Sequence, residues 1–204
     1  ITILSFYVLL KLVHIYINCR MKELRKKLRI IRKSIDTPTR KKQGKKLLYQ
    51  CQKHAIFRNA KHIAIFTPND GEIETIDTIN FLTHQGYYVY LPILVGEKLK
   101  FAKMGKLFRK NRFGIDEPIF SPLVGAHKMD LILMPLVGFD TNKNRLGMGG
   151  GFYDKTLSFH TKLKNFRVPK LFGLAFDAQE VSRLSSQPWD VPVDGIVTPT
   201  RFIR

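Results

Sequence analysis

The sequence predicts an α/β fold with a largely parallel sheet, and three observations carry that expectation. Short, nearly continuous apolar runs recur along the chain: HIAIFT at 62–67, YYVYLP at 87–92, DLILMP at 130–135, LFGLAF at 171–176 and GIVT at 195–198. Runs of that length are typical of strands covered on both faces. Between them lie segments with helical periodicity, the alternation that builds parallel sheets. Turn residues mark the joins, notably Pro68-Asn69-Asp70-Gly71, Gly86 and the glycines of 147–151.

Taken in order, the first helix is expected from Met21 to about Ile35, where Leu24, Leu28 and Ile31 fall at i, i+4 and i+7. Thr37 offers an N-cap with Pro38 at the first helical position, so a second helix should run to about Phe57. Thr75 is expected to cap a third helix, which Gly86 closes after Gln85. LKFAKM at 99–104 alternates like a half-exposed strand. A last helix is expected from about Phe152 to Phe166. Ligands of such sheets sit beyond the carboxyl ends of strands, which directs attention to loops 67–75, 136–154 and 177–194.

A chain of 204 residues suits one well-formed core, with no fixed-period repeat to suggest a solenoid. The formal charge of +19 is unusual and attracts polyanions: nucleic acid, nucleoside triphosphates, polyglutamylated cofactors or anionic lipid. No RNP-like aromatic pattern or GXXG loop supports RNA binding. Cys19 and Cys51 form no CxxC pair and the six histidines show no zinc spacing, which fits a reducing, cytoplasmic setting. Residues 1–20 are apolar except for Lys11, His14 and the polar end. A membrane anchor there would place Lys11 in mid-segment at a cost of about 3 kcal/mol. A signal peptide would need an early positive region and a small-residue cleavage site, and both are missing. The reading adopted is an upstream or leader segment, with Met21 the true start and 21–204 a single domain.

The strongest local feature is Asn144-Arg145-Leu146-Gly147-Met148-Gly149-Gly150-Gly151-Phe152-Tyr153-Asp154. Its glycines let backbone N–H groups approach an anion, a helix start follows, and Arg145 adds a planar charged fork suited to phosphate. A flexible turn would explain the glycines equally well. The loop lacks the GxxxxGK[ST] and GxGxxG patterns of the common nucleotide folds. Asp154 could simply complement the helix dipole. Beside a triphosphate it would be repelled unless a cation lay between, and Mg²⁺ takes one or two carboxylates plus phosphate oxygens. Asp190 could be a second carboxylate, or merely a turn residue near Pro192. Glu72 could accept hydrogen bonds from a nitrogen-rich ring, or be an ordinary acid of an early helical turn. Asn111 to Pro118 reads as a turn without evident function.

Together KELR at 22–25, GEIET at 71–75, LP at 91–92, NRFGIDEP at 111–118, DLILMPLVGFD at 130–140, RLGMGGGFYD at 145–154 and WDVPVD at 189–194 resemble the 5-formyltetrahydrofolate cyclo-ligase (methenyltetrahydrofolate synthetase) family. The resemblance runs from Met21 to about Thr198. It implies a three-layer α/β sandwich like that of sugar-phosphate isomerases and CoA transferases, and a monomeric cytoplasmic enzyme. ATP would be its co-substrate, Mg²⁺ its metal and a folate, possibly polyglutamylated, its substrate, with no nucleic-acid or membrane partner. By motif, Lys22, Arg25 and the run Arg145, Leu146, Gly147, Met148, Gly149, Gly150, Gly151, Phe152 and Tyr153 resemble ATP-binding positions. Thr67 and Glu72 resemble folate-contacting positions, and Met148 to Phe152 also touch substrate. Asp154 and Asp190 match metal positions, while Arg145 and Tyr153 are the expected catalytic pair. In the implied reaction the 5-formyl oxygen attacks the γ-phosphate, N10 attacks the activated carbon, and phosphate leaves. Met148 stands where the resemblance leads one to expect Arg, and Phe152 where it leads one to expect Tyr. The rivals are an isomerase or transferase of the same fold, needing no ATP, and a basic RNA-binding protein.

Overall fold

The computed structural model describes residues 3–111, 113–119, 121–160 and 169–204, apart from the side chains of 3–10, 13–15, 17 and 18. Helix α1 (Ile3–Lys33) carries the expected apolar stripe but runs back well beyond Met21. α2 (Thr37–Lys53) begins one residue earlier in its capping than Thr37 suggests. The Asp36 carboxylate accepts from the Thr39 N–H and is the cap, with Pro38 in the first turn behind it. α2 also stops before Phe57, because Ala55 enters the left-handed region at φ 51° and Ile56 N–H returns to Cys51 O.

The strands follow as β1 (His62–Ala64), then, after α3 (Ile76–His84), β2 (Tyr88–Val95), β3 (Lys98–Lys103), β4 (Phe108–Lys110), β5 (Asp116–Pro118) and β6 (Leu123–Val124). After them come β7 (Leu131–Pro135), β8 (Gly138–Phe139), β9 (Arg145–Leu146), α4 (Phe152–Leu157), β10 (Lys170–Leu174), β11 (Gly195–Val197) and β12 (Phe202–Ile203). Thr75 does precede α3, yet its hydroxyl donates to Phe66 O at 2.7 Å instead of capping the helix. It ties the loop after β1 shut. The last helix ends at Leu157 and 158–160 form a turn, short of the expected run to Phe166, of which 161–166 lie outside the described residues.

One sheet of eight strands, in the order β12-β11-β10-β7-β1-β2-β3-β6, forms the middle layer. The five central strands from β11 to β2 are parallel, and β12, β3 and β6 add antiparallel edges. Side-chain alternation explains the continuous apolar runs. Ile63, Leu131, Leu133 and Val197 face one way, onto Leu47 and Cys51 of α2 and Ile79 and Leu82 of α3. Ala64, Ile132, Met134 and Ile196 face the other, onto Leu157 of α4 with Met129, Val191 and Val193. A strand covered on both faces needs apolar residues at every position. α1 lies apart from both layers. Leu28, flanked by Leu24 and Ile31, packs on Val137, Leu146 and Leu184, at the end of the sheet where the parallel strands finish.

Candidate active site

The parallel strands end against a cavity of about 280 Å³. Thr67, Asp70 and Glu72 from the loop after β1 form one side, and Arg145, Gly147, Met148, Gly150, Gly151, Phe152, Tyr153 and Asp154 form another. Leu91, Pro92, Leu94 and Leu99 of β2 and β3 make an apolar wall, which Phe113 and Ile115 extend. Those two sit at the tip of the β4–β5 hairpin, the NRFGIDEP turn that the sequence left without a role. Asn111 shapes the tip: its Oδ1 accepts from Phe113 and Ile115 N–H, and its Nδ2 donates to the buried Glu117 carboxylate at 2.9 Å.

The glycine loop owes its path to backbone angles closed to other residues. Gly149 has φ 101° and Gly151 φ 66°, both in the left-handed region. A Cβ on Gly150 would stand 2.7 Å from the Phe152 ring. Upstream, the fully buried Asp140 takes Asn142 and Asn144 N–H on Oδ1 and Leu184 N–H on Oδ2, fixing the β8–β9 turn that delivers Arg145. Arg145 donates from Nη2 to Asp154 Oδ1 at 2.5 Å, while its buried Nε has no partner among the described residues. Asp154 Oδ1 also accepts from Val191 N–H at 3.0 Å, which ties Asp154 to the segment that carries Asp190. No described hydrogen bond uses Asp154 Oδ2. Asp190 closes its own turn, accepting from Gln187 N–H at 2.8 Å.

On the opposite side Glu72 Oε2 accepts from Asn69 N–H at 3.0 Å, and Oε1 lies 3.9 Å from Arg32 Nη1. Burial pushes the Glu72 carboxyl up to about 7, against the opposing pull of Arg32 and the Asn69 N–H, while Asp70 adds to the rise. Burial, then the charge of Glu72, holds the Tyr153 phenol well above its ordinary range, partly offset by Arg145. Asp70 behaves oppositely. Hydrogen bonds from Arg29, followed by Lys33 and Arg32, hold it well below the usual carboxylate range despite partial burial.

The fold thus gathers Thr67, Glu72, Arg145, Gly147, Met148, Gly150, Gly151, Phe152, Tyr153 and Asp154 around one cavity. Arg25 joins from α1, donating to Gly147 O at 2.9 Å and lying against Gly149. Lys22 is exposed one turn earlier, and Leu146 is buried against α1 with its side chain in the core. Lys22, Arg25, Leu146, Gly149 and Asp190 do not themselves line the cavity. The reading from sequence missed Arg32 and its partner Asp70, both on the wall. The visible signal was an arginine row at 25, 29 and 32 beside the apolar stripe of α1.

A family model described as the 5-formyltetrahydrofolate cyclo-ligase family matches residues 18–199. The chain belongs to that family. A 5-formyltetrahydrofolate cyclo-ligase of Haemophilus influenzae is 40% identical over 151 residues, covering 69% of this chain and 76% of the relative. That of Escherichia coli K12 is 37% identical over 150 residues, covering 70% and 80%. Among solved structures, the 5,10-methenyltetrahydrofolate synthetase of Aquifex aeolicus aligns with a TM-score of 0.77 at 28% identity, covering 90% of this chain and 92% of that one. Membership of the cyclo-ligase family displaces the isomerase, transferase and RNA-binding readings. As a ligase family it implies ATP as co-substrate. Among the described residues no helix is long and apolar enough to cross a membrane.

Proposed function

We propose that this chain closes 5-formyltetrahydrofolate to 5,10-methenyltetrahydrofolate, consuming ATP and releasing ADP and phosphate. The observation that carries the proposal is the cavity itself: the glycine loop bearing the family motif forms one wall, and Glu72 stands on the other. The formyl oxygen takes the γ-phosphoryl group, N10 bonds to the formyl carbon and gives up its proton, and phosphate departs with the former formyl oxygen. Little covalent work falls to the protein, so its contribution is alignment and charge compensation. The free Nε of Arg145, with backbone N–H groups of Gly147 to Gly151, suits the phosphates. Arg25 holds the loop in shape for them. The apolar wall suits the flat folate ring, and the Glu72 carboxylate suits its N–H donors.

Mg²⁺ belongs to the same proposal. Asp154, whose Oδ2 carries no hydrogen bond among the described residues, would hold this ion alongside phosphate, with Asp190, next in the chain to the Val191 N–H that binds Asp154, as the second carboxylate. When bound, it would neutralise charge on the transferring phosphate. Among the described residues no group of three or more His, Cys, Asp or Glu competes as a metal site. The net charge of +19 suits a polyglutamylated folate. Two unpaired cysteines are in keeping with the cytoplasm.

The test is ATP-dependent appearance of methenyl absorbance with the purified protein and 5-formyltetrahydrofolate. Absorbance that requires both ATP and a divalent cation is expected. Protein that is folded, binds both ligands and forms no methenyl product would refute the proposal.

A further inference from the structure

Arg32 is fully buried, yet its guanidinium borders the cavity. A charge in that position is costly unless every N–H is engaged. Nε donates to Asp70 O at 2.9 Å, Nη1 to Leu136 O at 3.2 Å and Nη2 to Asp70 Oδ2 at 2.7 Å. The same group reaches Met148 Sδ at 3.7 Å from Nη2, and Glu72 Oε1 at 3.9 Å from Nη1. One side chain of α1 therefore touches the loop after β1, the end of β7 and the glycine loop. Two turns earlier on the same helix, Arg25 holds the glycine loop through Gly147 O.

We propose that Arg32 is a positioning residue for ring closure, fixing the Glu72 carboxylate and the Asp70 corner on the folate side while Arg25 fixes the nucleotide side. The inference rests on the cyclo-ligase reading above. Its chemistry is electrostatic. Glu72 is faced by Arg32 from α1, by Asp70 from its own loop and by Tyr153 from α4, with Arg145 of β9 beyond the tyrosine. Arg32 favours the carboxylate and Asp70 opposes it, so removing either should move Glu72 in opposite directions. A scaffolding role alone has no such sign.

The test is folate kcat/KM against pH for the purified full chain and its Arg32→Met, Arg32→Lys and Asp70→Asn variants, with unfolding curves for each. In Arg32→Met the acid limb should rise by about one pH unit, and folate kcat/KM at neutral pH should fall roughly fivefold. ATP KM should change less than about twofold. Arg32→Lys should recover most of the loss, and Asp70→Asn should shift the limb downward. A folded Arg32→Met protein with an unmoved limb, or with folate and ATP KM rising together, would overturn the proposal. Should Arg32→Met fail to fold, Asp70→Asn decides: a limb that stays or rises overturns it. Wild-type protein that makes no methenyl product would overturn the cyclo-ligase reading itself, and that control separates the two failures.

Discussion

Asp154→Asn separates the structural from the catalytic use of one carboxylate. In the resting fold Asp154 Oδ1 serves two donors, Arg145 Nη2 at 2.5 Å and Val191 N–H at 3.0 Å. Asparagine keeps an acceptor oxygen in that position and loses the charge. A hydrogen bond between charged groups is worth about 1.5–3 kcal/mol and a neutral one about 0.5–1.5. The substitution should therefore cost about 1–1.5 kcal/mol, with little relief from solvent because the Arg145 side chain is only 7% exposed. For a chain of this size that corresponds to a Tm lower by about 2–6 °C. Asp154→Ala strands both donors and should cost about 3–5 kcal/mol, the penalty of breaking a buried pair. The folded Asp154→Asn protein should nonetheless be nearly inactive at ordinary Mg²⁺, with activity that no longer saturates normally as the cation is raised. Asp190→Asn should weaken the metal response less, because Asp190 lies off the cavity wall. Methenyl absorbance across a Mg²⁺ titration, paired with calorimetry, reads both effects. A small Tm shift with unchanged Mg²⁺ dependence would refute the metal assignment and leave Asp154 as the partner of Arg145 alone.

Three further outcomes are expected. Glu72→Gln should raise folate KM or lower kcat while ATP affinity holds; a variant that lost ATP binding instead would show the loop assigned to the wrong ligand. The same variant gives a stability check. With the folded carboxyl at about 7 against an ordinary 4.5, the native state keeps a proton that the unfolded chain has released, so stability falls as pH rises across that window. Glu72→Gln should therefore flatten the pH dependence of Tm and be the more stable protein at pH 8, by at most about 3 kcal/mol. A chain beginning at Met21 should fold and turn over like the longer one, because Leu12 and Tyr16 are largely exposed on α1; activity confined to the longer form would reject this. Met148→Arg should leave ATP KM within about twofold, since Arg25 already lies against Gly149 and Arg32 behind Met148; a clear tightening would show a vacant charge position in the loop.

The parts legible in the sequence were those whose causes are local. DLILMP reads as a central strand because both its faces are covered, and the glycine loop stands out because Gly149 and Gly151 adopt angles other residues avoid. The parts that escaped depend on distant partners. Thr75 carries a good capping side chain, but a buried carbonyl nine residues earlier claims its hydroxyl. The hairpin β4–β5 is only three residues a side, too short for alternation to register, so the turn that lends Phe113 and Ile115 to the cavity had no visible purpose. Arg32 is the most instructive case. Arg25, Arg29 and Arg32 follow one flank of α1, and a basic row on a helix flank is ordinarily solvated. Here its neighbours diverge: Arg29 is 40% exposed while Arg32 is fully covered. What separates them is Asp70, which stands in a left-handed turn at φ 50° before Gly71 at φ 76°. That turn aims the carboxylate and its own carbonyl back at α1, giving Arg32 two acceptors inside the fold. The Asn69-Asp70-Gly71 turn was legible as a turn, and the arginines were legible as a row. Only their meeting across the end of β1 makes a buried charge tenable, and with it a helix that grips both sides of the cavity at once.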